Sequence, residues 1–299
     1  MEFFIGWSHS DAKYCDYFEN TSMLISAVPD NVRPLQKFDK QPKKLMIDSG
    51  AVYYVNQIKK TTVEKVFKKQ LSFLEDATSD IESISLVQLD EPLIGKITLQ
   101  DRYAAIERTL FLAWEFMNLY TKSNLPLHIK PMAVIQGFDK ASIQYCIHEL
   151  KLMGYKQFGI GSLLFKNAKE QLPLIKSAAQ LVGSSNLHVF GVTGMTQIKE
   201  MTKLKISSFD STRPTKAAAY YSVFYSKPFR TYILASSRVS KSGPRITEPL
   251  FCTCPVCLNN PNDILIPSPR KYMLLRSIHN YYHLKETIND VLLEQGGKK

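Results

Sequence analysis

Residues 156–162 read Lys156-Gln157-Phe158-Gly159-Ile160-Gly161-Ser162, a short apolar run that closes on glycine and a hydroxyl. Bounded by turn-forming residues, such a run predicts a buried strand over Lys156–Ser162. Upstream, Lys140–Met153 has helical periodicity and stops at Gly154, the residue type that most easily takes the left-handed conformation ending a helix. Before that helix lies another apolar run, Lys130–Gly137. Downstream come a helical stretch, Ala168–Leu181, which ends near Gly183, and then the run Leu187–Thr193. Strand, helix, strand, helix, strand is the pattern of a parallel sheet with helical crossovers.

The same alternation continues outward. Phe3–Trp7, Leu45–Gly50, Ser83–Asp90 and Lys205–Ser211 are further strand candidates. Thr61–Ala77 is helical, with Thr61 or Thr62 as N-cap and Glu64 in the first turn. Thr98–Tyr120 is a long helix with Leu99, Tyr103, Ile106, Leu110, Ala113 and Met117 on its expected apolar face, and Thr196–Thr202 is a short one. Seven strands exceed what most open sheets of this length offer, so an α/β fold of the (β/α)8 TIM-barrel type is expected. The eighth strand is not assigned. Arg230–Ser236 is strand-like but also fits a hairpin in an insertion, while Asn20–Lys44 and Ser237–Pro249 read as loops. The expected division is a barrel core over 1–236 and a zinc-binding subdomain with the C-terminal helix over 237–299.

The strand ends carry the polar residues. Six of them close on Asp48-Ser49-Gly50, Asp90-Glu91, Gln136-Gly137, Gly161-Ser162, Gly191-Val192-Thr193 and Asp210-Ser211. In a (β/α)8 barrel all C-terminal strand ends face one mouth, where active sites form. Gln and Asp there can hydrogen-bond the edge of a polar heterocycle, and glycine lets a flat ligand approach the backbone. Two carboxylates facing one glycosidic carbon suit glycosyl transfer, one attacking or stabilising the anomeric carbon and the other moving protons. Asp48 and Asp210 are the expected pair, with Asp90 placed to read the base. His9, His128, His148 and His188 show no metal or triad spacing and are read as structural.

The chain has 299 residues, 44% hydrophobic and 22% charged, as an ordinary globular protein does. No apolar run approaches the ~18 residues of a membrane span. Met1–Trp7 reads as a first strand and not a signal peptide, so a cytoplasmic location is expected. Net charge is +11, and residues 213–299 hold 13 Lys and Arg against 5 Asp and Glu. A basic end of this kind points to a polyanion such as nucleic acid. Cys15 and Cys146 are isolated and read as buried hydrophobes. Cys252, Cys254 and Cys257 are bunched, which predicts a metal site. His279 and His283 follow on the expected helix Pro269–Leu293, and either completes a closed tetrahedral zinc set.

These residues resemble the tRNA-guanine transglycosylase superfamily, with its motifs in order over about residues 45 to 285. Ile47-Asp48-Ser49-Gly50 is similar to the family's Asp-Ser-Gly-Gly, and Asp90-Glu91 to its Asp-Glu pair. Val134-Ile135-Gln136-Gly137 resembles Val-Gln-Gly, Ile160-Gly161-Ser162-Leu163 resembles Ile-Gly-Gly-Leu, and Phe190-Gly191-Val192 resembles Met-Gly-Val. Phe209-Asp210, followed by Pro214-Thr215-Lys216, looks like Phe-Asp-x3-Pro-Thr-Arg, and the cysteines with Ile278-His279-Asn280 match the family's zinc site. The departures are Ala51 after Asp48-Ser49-Gly50, Ser162 for glycine, Phe190 for methionine, and a shorter Cys-to-His spacing. The opening Phe4-Ile5-Gly6-Trp7-x-His9-x-Asp11-Ala12 is more similar to the DpdA group of DNA 7-deazaguanine insertion enzymes.

The resemblance implies exchange of guanine in a polynucleotide, DNA before tRNA, for a 7-deazaguanine such as preQ0. It implies Asp210 as nucleophile and Asp48 as general acid and base. Asp90, Gln136, Gly161, Ser162 and Gly191 would bind the base, and Phe190 would stack on it. Arg213 and Lys216 would hold phosphates. Zinc would be structural, on Cys252, Cys254, Cys257 and His279. A helicase or ATPase partner, a homodimer, the tRNA substrate and a non-catalytic nucleic-acid-binding role stay open at this point.

Overall fold

Strand β1 (Glu2–Trp7) pairs with β2 (Ser22–Ser26) on one side and β8 (Ser208–Ser211) on the other, and this double pairing closes the sheet. Between them run β3 (Lys44–Asp48), β4 (Ser83–Val87), β5 (Ile129–Ile135), β6 (Gln157–Ile160) and β7 (Leu187–Val189), each parallel to its neighbours. The result is a closed eight-stranded parallel barrel in sequential order, the TIM-like α/β fold the alternation predicts. The computed structural model describes residues 1–55, 61–96, 98–163, 166–192, 194–237, 240 and 242–296. Thr193, expected at a strand end, lies outside them.

The helices, in chain order, are α1 (Tyr14–Tyr17), α2 (Ala51–Val55), α3 (Val63–Leu74), α4 (Leu99–Lys122), α5 (Lys140–Leu152), α6 (Ala168–Val182), α7 (Met195–Lys203), α8 (Arg213–Ala219), α9 (Pro255–Asn259) and α10 (Arg270–Gly296). Their starts are encoded locally. Thr62 accepts from Lys65 N, Thr98 from Asp101 N, and Asn167 forms a capping box with Glu170. The α4 stripe begins later than expected, at Ala105, so Leu99 and Tyr103 are exposed.

The unassigned eighth strand is β2, inside the segment expected to be a loop. Its apolar part is only Met23-Leu24-Ile25, all buried. So short a run carries no period of its own, and pairing on both edges makes it a strand. β1 and β8 end where expected, whereas β3 to β7 stop short of their expected C-terminal ends, so Asp90, Gln136, Ser162 and Gly191 stand just beyond the ladder in the mouth loops. Phe4, Leu24, Met46, Val87, Met132 and Val134 fill the interior, and half-buried Phe190 packs against them.

The chain forms two compact units, Met1–His9 with Asn20–Ser211 and Ser10–Glu19 with Thr212–Lys299. The first is the barrel with α2 to α7. In the second, β9 (Ser222–Ser226) and β10 (Phe229–Leu234) form an antiparallel hairpin, and β11 (Arg245–Ile246) pairs with β10. The strand expected near Arg230–Ser236 therefore belongs to this hairpin, and β11 falls within the segment expected to be a loop. Residues 236 and 237 both lie in the second unit, where α10 holds the hairpin. Asn280 accepts from Phe224 N at 2.8 Å, and its amide donates to Ser222 O at 2.9 Å. Buried Arg276 donates to the carbonyls of Ala218, Ile264 and Ile266.

Candidate active site and metal centre

Asp210 lies on β8 with Ser208 two residues before it, so both face the same side of the strand. Phe4 of β1, a barrel-interior residue, is its register partner. Asp210 is 9% exposed, and its Oδ1 meets two partners: Gly191 N donates at 2.9 Å, and His188 Nε2 stands at 3.2 Å. Gly191 has φ +67°, a conformation that favours glycine, and it turns that N–H toward Asp210.

Asp48 ends β3. Its Oδ2 accepts from Gly50 N at 2.9 Å and Ser26 Oγ at 3.0 Å. Burial pushes its carboxyl above the usual carboxylate range; those two bonds oppose the shift, and the charge of Asp210 adds to it. Asp90 follows β4. Burial, and then the charge of Asp48, push it up to about 7 against the pull of its bond from Gln136. The electrostatics thus link Asp210 to Asp48 and Asp48 to Asp90. Buried Gln70 on α3 braces the strands below them, donating to Ile47 O at 2.9 Å and Val87 O at 2.7 Å.

Gln136, beyond β5, has a defined amide orientation. Its Nε2 donates to Asp90 Oδ2 at 2.5 Å, and its Oε1 accepts from Ser162 Oγ at 2.5 Å. Ser162 Oγ in turn accepts from Leu93 N at 2.7 Å. Ser162 has φ +54°, uncommon for a residue with a side chain, and its hydroxyl bonds occupy the place where the resemblance has glycine. The Gly161 N–H is spent on Ile135 O at 3.1 Å. Phe190 lies over Gly159, where a Cβ would stand 2.2 Å from its ring, so the close approach requires glycine. Asp90 also walls a cavity of about 370 Å³ with Tyr54, Leu89, Pro92, Arg108 and Phe111; neither Asp48 nor Asp210 lines it.

His188 is the residue sequence reasoning missed. It is buried on β7 and registers opposite Ser208. Metal and triad spacings do not find it. The period-2 rule could have, since His188 shares a face with Phe190 two residues on.

The basic residues Arg213 and Lys216 lie on α8 in the second unit. The Arg213 guanidinium packs over the rings of Phe224 and Phe229 at 5.3 and 5.4 Å, and burial lowers its pKa. Lys216 is exposed.

In the same unit the Sγ atoms of Cys252, Cys254 and Cys257 and the Nδ1 of His279 lie within 4.8 Å of one another. His279 Nδ1 is 3.6, 3.5 and 3.3 Å from the three sulfurs in turn. Tetrahedral zinc with ordinary Zn–S and Zn–N lengths separates such donors by about 3.5 Å. The donor set therefore fits a structural zinc ion with all four positions taken by protein. Hydrogen bonds from Cys252 and Cys257 hold the Cys254 thiol far below its ordinary value, and the same crowding pushes theirs up. With only one of the three sulfurs readily ionised on its own, a bound cation would be what stabilises all three as thiolates. His279 Nε2 donates to Phe224 O at 2.8 Å, which leaves Nδ1 free for metal. His283 plays a different part. Its Nδ1 accepts from Ser226 N at 3.1 Å, so its Nε2–H points at Cys252 Sγ, 3.2 Å away. It is an outer hydrogen-bond partner, and His279 is the fourth donor.

Among the described residues no helix is long and apolar enough to cross a membrane. The family model described as queuine tRNA-ribosyltransferase matches residues 20–292. A queuine tRNA-ribosyltransferase of Chlamydia felis (strain Fe/C-56) is 26% identical over 72% of this chain and 58% of its own length. A DNA-guanine transglycosylase of Salmonella montevideo is 26% identical over 70% of this chain and 48% of its own. The queuine tRNA-ribosyltransferase of Chlamydia caviae is 24% identical over 72% of the chain and 58% of its own length. The chain thus spans about half the length of the curated relatives it matches.

Proposed function

Because the chain belongs to the queuine tRNA-ribosyltransferase family, we propose that it exchanges guanine in a polynucleotide for a 7-deazaguanine such as preQ0, and that the polynucleotide is DNA. The observation that supports this most directly is that Asp48 ends β3 and Asp210 lies near the C-terminal end of β8 in one closed parallel barrel, with the charge of Asp210 adding to the burial that raises the Asp48 carboxyl. The target nucleotide leaves its stack to enter the barrel mouth, at a cost of a few kcal/mol.

Asp210 Oδ2 attacks C1′ as the bond to guanine N9 breaks, giving a glycosyl ester. Asp48, which burial favours in its protonated form, gives its proton to the departing base. The incoming 7-deazaguanine then loses its N9 proton to the Asp48 carboxylate, and N9 displaces Asp210 from C1′. Asp90 and the Gln136 amide read the base edge, and Phe190 offers its ring as a platform. Arg213, Lys216 and the basic C-terminal residues take phosphates. Zinc, when bound, supplies a cross-link between residues 252–257 and α10.

DNA is preferred for the similarity of the opening residues to the DpdA group. The tRNA reading has one specific finding behind it, the match to the family model described as queuine tRNA-ribosyltransferase, whereas the Chlamydia felis and Salmonella montevideo relatives are equally similar at 26% identity. A non-catalytic role needs neither carboxylate, and both are present. Exchange of labelled guanine into DNA and into tRNA, with mass spectrometry of the nucleosides, tests the assignment. Label entering tRNA alone replaces DNA as substrate. Asp210→Ala is expected to abolish exchange and the denaturation-resistant nucleic-acid adduct together; an adduct that persists removes Asp210 from its role.

A further inference from the structure

We propose that His188 is a positioning residue for Asp210, holding Oδ1 so that Oδ2 is the oxygen presented to the sugar. The inference rests on the transglycosylase reading above. His188 is 1% exposed, on the strand beside the one that carries Asp210. Its Nε2 stands 3.2 Å from Asp210 Oδ1 and its Nδ1 2.9 Å from Ser208 Oγ. An ionised carboxylate only accepts hydrogen bonds, so Nε2 carries the proton. In the neutral ring Nδ1 then accepts from the Ser208 hydroxyl. The carboxylate thus sets the tautomer, and the Ser208 hydroxyl, which can donate as well as accept, accommodates it.

The ring has little freedom to turn away. Phe190 meets its edge with centroids 4.6 Å apart, and Phe4 does so at 5.8 Å. With Gly191 N, His188 places two donors on one oxygen, and among the described residues Oδ2 accepts none. This fixes the plane of the carboxylate and leaves the other oxygen to attack C1′. In the ester that follows, Oδ1 becomes the carbonyl oxygen and still accepts both bonds. When the incoming base displaces the ester, the same donors receive the returning negative charge. Asp48 on β3 is a further ionisable group, and the charge of Asp210 acts on it.

A purely space-filling histidine and a positioning one predict opposite rankings of two substitutions. Phenylalanine keeps the ring volume and loses the donor. Glutamine loses ring contacts but keeps an N–H of about the same reach. His188→Phe is expected to lower kcat about 100-fold with KM within about twofold, since misaiming a reacting group costs roughly that much. His188→Gln is expected to recover most of the rate. Nitrogen-15 spectra of the ring should show the proton on Nε2 in the unmodified protein and a changed signal in Asp210→Asn. His188→Phe matching or exceeding His188→Gln in kcat, or a proton resident on Nδ1, overturns the proposal. Failure of the transglycosylase reading looks different: the unmodified protein exchanges no guanine although His188 keeps its Nε2 proton. The positioning role then falls with the reaction it serves.

Discussion

Asp90 has its charge state poised near neutral pH. Burial beside Asp48 moves it from 3.8 to about 7. Between those values the folded protein holds a proton that the unfolded chain has released. Stability contributed by this group therefore falls as pH rises through that window. Asp90→Asn removes the dependence, and its melting temperature is expected to exceed that of the unmodified protein at pH 8 by about 3 °C or more. The excess should vanish near pH 4, where both forms are neutral. Melting curves from pH 4 to 8 check this, and a parallel pair of curves refutes it. The Asp90 bond to Gln136, and the Gln136 bond to Ser162, join residues far apart in sequence. Each was legible singly as a polar strand end. Their order as a relay was not, because amide orientation is set by partners in the loops that follow two other strands.

Helix α10 is the element on which the second unit depends. His279 and Asn280 hold the two sides of one residue, Phe224: the ring N–H reaches its carbonyl, and the Asn280 oxygen takes its N–H. Removing zinc should loosen α10 and β9 together. Cys254→Ser is expected to abolish the roughly one zinc per chain and to cost hydrogen-exchange protection over residues 222–296, with the barrel strands retaining theirs. His279→Ala should lose the metal. His283→Ala should keep it with about 10- to 100-fold weaker affinity, because only an outer hydrogen bond goes. Equal loss in both histidine variants would count against the division of roles. Cysteine spacing within six residues was readable as a metal site. The choice between two histidines one helical turn apart was not, because β9 makes it: Phe224 O claims one Nε2, and Ser226 N claims the other ring's Nδ1.

For the whole molecule, charge decides what large partner can bind. Residues 213–299 contribute +8 of the +11 net charge. Each phosphate neutralised in duplex DNA contributes about −0.9 to the slope of log affinity against log salt. A slope of about −3 or steeper is expected in a filter or anisotropy titration; a flat response removes the basic-surface argument. The barrel itself was legible because strand–helix alternation is written within each short stretch of chain, in apolar runs, caps and terminal glycines. The metal cysteines were legible for the same reason. Barrel closure through Ser22–Ser26, the His188 bond to Asp210 and the mutual influence of Asp48, Asp90 and Asp210 were decided only by tertiary structure. Their physical cause is non-local: a three-residue apolar run becomes a strand only between two neighbours, and a carboxyl becomes hard to ionise only when distant parts of the chain bury it beside another.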